Sequence, residues 1–148
     1  MVTTISKAEY MQMYNIVGAA MEVYNNMGRG LEEAIYQEAM EIELHERNIE
    51  FEPQKRLTTR YKQYILKKDY FADIYSNGVV VELKAVDKIC SDHRAQLFNY
   101  MRISKQQRGL LINFCEKKLH TERYLYQEED DDFILLNEQN IHMYVTKY

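Results

Sequence analysis

Apolar residues recur at helical spacing through the first fifty residues of the chain. Ser6 and Glu9 match the S-x-x-E pattern of a capping box, which predicts a helix that begins just after Ser6. Gly28 is typical of the position that follows a helix, so the first helix should end there. A second helix is predicted from Leu31 to Arg47. Its two apolar stripes indicate that other elements cover it on two faces.

The pattern changes to that of strands after the second helix. Three strand-like runs follow, at about residues 50–60, 64–75 and 78–84. Further along, Ser91 or Asp92 is positioned to cap a third helix that ends near Ser104. The continuous apolar run within residues 107–114 is typical of a strand that is covered on both faces.

This order of elements predicts an α/β fold. Strands 78–84 and 107–114 are joined through a helix, so they should lie parallel to each other. The core order is therefore α-β-β-β-α-β on a mixed sheet flanked by helices, with an extra N-terminal helix. The tail, at roughly residues 133–146, indicates one or two additional C-terminal strands. The length predicts a single domain over residues 1–148.

Composition narrows the class of protein. Apolar residues make up 46% of the chain and 13 residues are tyrosine, which excludes a disordered protein. No apolar run approaches the roughly 20 residues of a membrane span. The N-terminus lacks the basic-then-apolar layout of a signal peptide, so we expect a cytoplasmic protein. Cys90 and Cys115 lie far apart without a CxxC motif, which favours two reduced structural thiols over a zinc site or a disulfide.

Charge is distributed unevenly along the chain. The net charge of −4 argues against a general polyanion binder, but residues 53–113 carry 12 basic and only 5 acidic side chains. Within them, the segment from Pro53 to Lys68 holds six cations and no acid, with Tyr61 and Tyr64 interleaved. Such a stretch suits a phosphate backbone with stacked bases, although a solvated strand face is the more frequent origin of such a run.

Asn77-Gly78 is the strongest short hairpin signal in the chain, because this pair fills a two-residue type I′ turn. With that turn, Asp73 lies opposite Glu82, and their Cβ atoms should be about 4.5–5.5 Å apart. Lys84 shares the face of Glu82, because side chains alternate along a strand. The sequence therefore predicts two carboxylates and a lysine in one place.

Two carboxylates on an apolar strand pair need something to compensate their charge, since burying an unpaired one costs on the order of several kcal/mol. A retained proton, a nearby cation such as Lys84, or a bridging divalent metal would each suffice. Oxygen ligands from two strands favour Mg²⁺ or Mn²⁺ over zinc, which prefers histidine and cysteine. The residues alone leave these alternatives open.

The second and third helices supply further candidates. Glu33 continues an apolar stripe of the second helix, so it is either a buried carboxylate or a first-turn glutamate favoured by the helix dipole. On the third helix, His93, Gln96 and Tyr100 form one polar stripe. Because this helix begins soon after Lys84, the stripe is either a set of phosphate-binding donors near the carboxylate pair or ordinary amphipathic surface.

The acidic pair and the lysine resemble a known signature. Asp73, followed at a distance by Glu82, Leu83 and Lys84, resembles the D…(D/E)-x-K pattern of the PD-(D/E)XK nuclease superfamily. The α-β-β-β-α-β order is similar to the restriction-endonuclease-like core of that superfamily. The glutamine and tyrosine of the third helix resemble the Q-x-x-x-Y element of RecB-type nucleases.

A second motif resembles one branch of that superfamily. The segment from Gly30 to Tyr36 reads G-x-x-E-x-x-Y, the motif that names the GxxExxY protein family. Arg29 stands where that family often has proline, and Tyr24 stands where it often has histidine. Neither departure removes an expected ligand. The resemblance covers roughly residues 12–115.

The resemblance implies a function and a set of roles. It implies a magnesium-dependent nuclease acting on DNA or RNA, with Mn²⁺ as an alternative cofactor. The lack of an apolar span predicts no membrane association, and a homodimer is one assembly that the chain could form. Mg²⁺ would be ligated by Asp73, Glu82, the Leu83 carbonyl and Glu33. Lys84 would orient or help deprotonate the attacking water. The implied substrate-binding residues are Tyr36, Arg94, Gln96 and Tyr100. A catalytically silent module on the same scaffold, binding nucleic acid or protein, is the alternative.

Overall fold

A computed structural model describes residues 1–146; Lys147 and Tyr148, which belong to the predicted domain, lie outside the described residues. The helices are α1 (Lys7–Met27), α2 (Glu33–Glu46), α3 (Ser91–Ser104) and α4 (Ile141–Tyr144). The strands are β1 (Ile5–Ser6), β2 (Glu52–Tyr61), β3 (Tyr64–Ser76), β4 (Val79–Lys84), β5 (Arg108–Asn113), β6 (His120–Gln127), β7 (Asp132–Leu135) and β8 (Val145–Thr146).

Six of the strands form one mixed sheet in the order β2-β3-β4-β5-β6-β7. Strands β4 and β5 run parallel, and the other neighbouring pairs of this sheet run antiparallel. The succession α2-β2-β3-β4-α3-β5 is the predicted α-β-β-β-α-β core, and the predicted parallel pairing is confirmed. Strands β1 and β8 pair with each other in a separate two-stranded sheet.

The strand β4 separates two hydrophobic clusters because its side chains alternate between the faces of the sheet. Val79 and Val81 belong to the cluster that includes buried residues of α1 and α2, whereas Val80 belongs to the cluster formed with α3. Glu82 and Lys84 continue the alternation of Val80, so they lie on the face that α3 covers. The layers of the fold therefore place the candidate carboxylate and lysine under one helix.

Helix α3 lies very close to β5 at Gly109. A Cβ atom at this position would be 2.4 Å from the Met101 sulfur and 3.2 Å from Leu97 Cδ1. A residue larger than glycine would therefore have to displace the side chains of Met101 and Leu97, which pack directly on this backbone.

Two local signals in the sequence are confirmed at the level of atoms. The Ser6 hydroxyl accepts a hydrogen bond from the Glu9 N–H, and the Glu9 side chain accepts one from the Ser6 N–H. In the β3–β4 turn, Asn77 and Gly78 have φ values of 51° and 83°, the left-handed region that a type I′ turn requires. This turn sets the register that brings Asp73 toward Glu82.

The prediction that α2 is covered on two faces is wrong. Tyr36, Met40 and Leu44 are fully buried, but Ile35 and Ile42 are exposed. Only one of the two apolar stripes therefore packs on the sheet. The helix begins at Glu33 rather than Leu31, and the predicted cap of α3 at Ser91 or Asp92 is replaced by Cys90.

Strand β6 is the main element that the sequence pattern did not predict. It lies before the predicted C-terminal strand region, and its buried positions include Glu122 as well as Tyr124 and Leu125. A polar residue at a core position obscures the alternation on which strand prediction depends. No helix within residues 1–146 has the length and apolar character needed to cross a membrane.

Candidate active site

The β3–β4 hairpin brings Asp73 and Glu82 together. Backbone pairing of the two strands extends to Ile74 opposite Val81. One step further, side chains replace the ladder: the Asp73 N–H donates to Glu82 Oε1 at 3.2 Å, and the Leu83 N–H donates to Asp73 Oδ2 at 2.8 Å. Each carboxyl thus binds the backbone of the opposite strand, and the predicted neighbourhood of the two acids is present.

The two carboxyls interact strongly because the site is desolvated. Glu82 is only 2% exposed, and burial followed by the charge of Asp73 raises its pKa to about 9. Burial also raises the pKa of Asp73, against the lowering effect of the Leu83 N–H and of hydrogen bonding with Glu82. The pair therefore holds a proton at neutral pH as long as no cation compensates it.

Lys84 is bonded to α3 rather than to either carboxyl. Its ammonium donates to Gln96 Oε1 at 2.7 Å, and Gln96 Nε2 donates to the Tyr100 hydroxyl at 3.0 Å. Among residues 1–146, no carboxylate oxygen lies within 4.0 Å of the Lys84 ammonium. Its charge nevertheless lowers the pKa of Asp73 and of Glu82. Of the alternatives left open by the sequence, a direct ion pair with Lys84 is not the arrangement found.

Glu33 lies at the rim of the site and is exposed, so the interpretation of Glu33 as a buried carboxylate is wrong. It occupies the first turn of α2, the position that the helix dipole favours for an acid. Partial desolvation still raises its pKa, Lys84 lowers it, and Asp73 raises it, so the three charges influence one another. Glu33, Gln37, Gln54 and Asp73 line an open cleft of about 570 Å³.

Two glutamines near Asp73 were not predicted as site residues. Gln37 Nε2 donates to the Asp73 carbonyl at 2.9 Å, and Gln54 Nε2 lies 3.5 Å from Asp73 Oδ1. Gln37 follows Glu33 by four residues, so helical spacing alone places both on one face. Gln54 has a φ of 48° within β2, an irregularity that residue types do not reveal. Both side chains hold Asp73 in place.

Tyr36 was expected to contact the substrate, and the structure corrects this. The side chain is fully buried and stacks on Phe114 with ring centroids 4.5 Å apart. Its hydroxyl donates to the Gly28 carbonyl at 2.6 Å and accepts from the Leu31 N–H at 3.2 Å. A residue enclosed in this way braces the loop before α2, because it has no surface that a substrate could reach.

Arg94 was also expected to contact the substrate, but its guanidinium is engaged elsewhere. Its Nε and one terminal nitrogen each lie 2.8 Å from an oxygen of Glu122 on β6. His120 and the Tyr124 hydroxyl contact the same carboxylate. Burial alone would raise the pKa of Glu122, but these three partners outweigh it and lower the pKa to about 2. The substrate role of Arg94 stays a prediction.

The donor set at Asp73 and Glu82 fits a hard divalent cation. Its atoms are carboxylate oxygens, and the buried pair has no lysine, arginine or histidine nitrogen within 4.0 Å in the described part of the chain. In residues 1–146, no three His, Cys, Asp or Glu side chains converge as a preformed metal cage. Mg²⁺ retains several water ligands, so two carboxylates are sufficient for it.

A comparison with models of protein families agrees with this geometry. The model of a protein family described as the PD-(D/E)XK nuclease superfamily matches residues 10–124 of the chain. A solved structure described as the crystal structure of SSO0001 is similar, with 19% sequence identity and a TM-score of 0.48. That similarity covers 61% of this chain and 48% of the other, so the match spans about half of the SSO0001 chain. None of the curated proteins compared matches the sequence.

Proposed function

Because this chain belongs to the PD-(D/E)XK nuclease superfamily, we propose that it is a metal-dependent nuclease that hydrolyses phosphodiester bonds of DNA or RNA. The observation that carries this proposal is the pair formed by Asp73 and Glu82. Two carboxyls meet on adjacent strands, one of them almost fully buried, and no protein cation pairs with either within residues 1–146. Such a pair is costly unless a proton or an external cation compensates it, and a divalent cation is the compensation that also supplies chemistry.

The proposed cofactor is Mg²⁺ or Mn²⁺. The proposed ligands are the carboxylates of Asp73 and Glu82 and the carbonyl of Leu83, with Glu33 contributing from the rim of the cleft. When bound, a divalent ion of this kind neutralises phosphate charge, acidifies water and stabilises the leaving oxygen. Oxygen donors of this type favour such hard cations over zinc.

Lys84 is proposed to orient the attacking water and to help deprotonate it. Its ammonium shares a strand face with Glu82, and the hydrogen bond to Gln96 fixes its direction. Tyr100 in turn holds the amide of Gln96, so two residues of α3 position the lysine. A lysine ammonium has three hydrogen-bond donors, so it can hold a water while it is bonded to Gln96. Gln96 and Tyr100 are also proposed to contact the substrate backbone.

We also propose that the chain belongs to the GxxExxY branch, and the arrangement of its motif supports this proposal. Gly30 has a φ of 96°, which permits the sharp turn before α2. Glu33 then opens the helix beside the cleft, and Tyr36 closes the loop by bonding to Gly28 and Leu31. Each motif position thus has a physical task in bringing Glu33 to the site. We retain the expectation of a cytoplasmic protein without membrane association.

Cleavage of labelled single-stranded DNA, double-stranded DNA and RNA by the purified chain tests the proposal. We expect products with Mg²⁺ or Mn²⁺ and none after chelation. Lys84→Ala should slow cleavage by about 10²- to 10⁴-fold, the usual effect of removing a group that transfers protons. Lys88→Ala is the matched control, because Lys88 is an exposed lysine just beyond β4 and should retain the activity within about twofold.

Two outcomes would contradict the proposal. Equal cleavage by the wild-type chain, Asp73→Ala and Lys84→Ala would place the activity elsewhere or in a contaminant. Binding of nucleic acid without cleavage of any substrate under any metal condition would favour the catalytically silent module instead. Circular dichroism of each variant separates loss of activity from loss of fold.

A further inference from the structure

The outer part of the β2–β3 hairpin, residues 58–68, is called the arm. Every residue from 60 to 68 is exposed. Tyr61 and Tyr64 face each other across the two-residue turn at the tip of the arm and are 60% and 61% exposed. Leu66 lies two residues after Tyr64 and therefore on the same face of the strand, where it adds a further exposed apolar side chain. The tip therefore presents two aromatic rings to solvent.

The charges of the arm are of one sign and are unpaired. Its cations are Arg60, Lys62, Lys67 and Lys68, and its sequence contains no acid. Within residues 1–146, none of these four has a carboxylate oxygen within 4.0 Å, whereas Lys55 and Arg56 at the base of the hairpin pair with Glu52 and Asp69. Positive charge is thus neutralised at the base and left free toward the tip.

Cations lie next to aromatic rings both at the tip and at the base of the arm. The Lys62 ammonium lies 5.3 Å from the centre of the Tyr61 ring, and Lys68 lies 5.6 Å from the ring of Tyr70. Free cations attract phosphate, and exposed rings stack on bases that are not already stacked within a duplex. A second copy of this chain is a poor occupant, because two arms carrying the same charge repel each other.

From these observations we propose that the arm is a binding surface for an unpaired nucleic-acid strand, in which Tyr61 and Tyr64 stack on bases. This proposal rests on the proposed nuclease function, whose substrate it narrows to nucleic acid with single-stranded segments. Asp73 is nine residues further along β3 than Tyr64, which is about 30 Å along the strand. The arm therefore contacts the strand far from the bond that is cut.

Fluorescence anisotropy with labelled oligonucleotides in EDTA tests the proposal without cleavage. The probes are oligo-dT and oligo-U of about 30 nucleotides, long enough to reach beyond the arm, and a duplex of the same length. Replacing both tip residues, Tyr61→Ala with Tyr64→Ala, should weaken binding of the single strands by at least about fivefold, as expected from the loss of base stacking. Duplex binding should change by less than about twofold, because it depends on the cations.

Two further variants exclude trivial explanations. Tyr61→Phe with Tyr64→Phe keeps both rings and should bind single strands like the wild-type chain. If the tyrosine hydroxyls made the contact instead, this variant would bind more weakly. Tyr14→Ala removes a tyrosine of similar exposure from α1, outside the arm, and should have no effect. Thermal denaturation should be the same for all variants, because the tip residues are exposed.

The proposal is wrong if the alanine pair binds single strands as tightly as the wild-type chain, if duplex binding falls equally, or if the chain binds no oligonucleotide. Its failure differs from failure of the nuclease proposal. If the alanine pair cleaves nucleic acid with Mg²⁺ as fast as the wild-type chain, the nuclease proposal stands and the proposal for the arm is wrong. If binding of single strands depends on the two tyrosines but no substrate is cleaved, the arm is a binding surface and the nuclease proposal is wrong.

Discussion

Glu82 and Glu122 are two buried glutamates at the same level of one sheet. Both lie in register with Leu111 of the central strand β5, Glu82 from β4 on one side and Glu122 from β6 on the other. They are 2% and 5% exposed. Yet their electrostatics are opposite: the pKa of Glu82 is raised to about 9, and that of Glu122 is lowered to about 2.

The difference lies in what α3 offers each of them. Above Glu122 the helix places Arg94, which forms two hydrogen bonds to the carboxylate. Two residues further along, the helix places Gln96, whose side-chain oxygen accepts a hydrogen bond from the Lys84 ammonium. The same helix thus satisfies one glutamate with a cation and leaves the other beside Asp73. The fold therefore neutralises one buried acid with a protein cation and leaves the other without one, which supports the proposed divalent ion at the pair.

The largest expected effect is on metal binding and cleavage. Glu82→Gln removes a proposed ligand and should lower cleavage by at least about 10²-fold. It should also weaken Mg²⁺ affinity, measured by titration calorimetry, by about tenfold or more. Glu122→Gln is the matched control and should leave both within a few-fold of wild type. Unchanged Mg²⁺ affinity in Glu82→Gln would count against Glu82 as a ligand.

A smaller effect is expected on the free energy of unfolding, and here Glu122→Gln should have the larger effect of the two variants. Glu122→Gln leaves the Arg94 cation without its partner and should lower the free energy of unfolding by about 2–3 kcal/mol, below the usual range for buried pairs because Arg94 is partly exposed. Glu82→Gln replaces an acid that takes up a proton on folding by a neutral isostere, so at neutral pH the free energy of unfolding should stay the same or rise. Urea denaturation in metal-free buffer measures both. A larger loss in Glu82→Gln would reverse our interpretation of the two sites.

The smallest effect is the slope of stability against pH, which should have opposite signs for the two residues. The raised pKa of Glu82 means that its contribution is fully present below its ordinary value of 4.5 and is lost as the pH rises toward about 9. The lowered pKa of Glu122 means that its contribution is present above 4.5 and is lost as the pH falls toward about 2. Each slope is at most about 1.4 kcal/mol per pH unit.

Denaturant titrations of the metal-free chain across this pH range would separate the two slopes. Glu82→Gln should remove the alkaline decline alone, and Glu122→Gln the acid decline alone. Adding Mg²⁺ should restore stability at high pH, because metal binding requires deprotonated carboxyls. An alkaline decline that persists in Glu82→Gln would show that another group causes it.

The parts of the site that were predictable from sequence are those that local rules determine. The turn at Asn77-Gly78 fixes a register, and that register alone makes Asp73 and Glu82 neighbours. Alternation along β4 then puts Lys84 on the side of Glu82, and the four-residue spacing on α3 joins Gln96 to Tyr100. None of these relations depends on how distant segments pack.

The parts that were not predictable depend on tertiary packing. Glu33 continues the stripe of α2 that docks on the sheet, yet it is exposed because it stands at the first position of the helix, beside an open cleft. The sequence predicts a substrate contact for Arg94 because its partner Glu122 lies on β6, a strand that the sequence pattern does not reveal. Tyr36 belongs to a recognisable motif, but a motif specifies position and not whether the side chain points inward.

The absence of a side chain at Gly109 has a consequence for anyone who wishes to adjust this protein. Met101 and Leu97 rest directly on that backbone, and Gln96 is the neighbour of Leu97. Adding a single methyl group there would press on the underside of α3 and shift the amide that holds Lys84. A substitution at Gly109 would therefore slow the proposed cleavage from a distance, although every acid, amide and ammonium of the cleft would stay chemically unchanged.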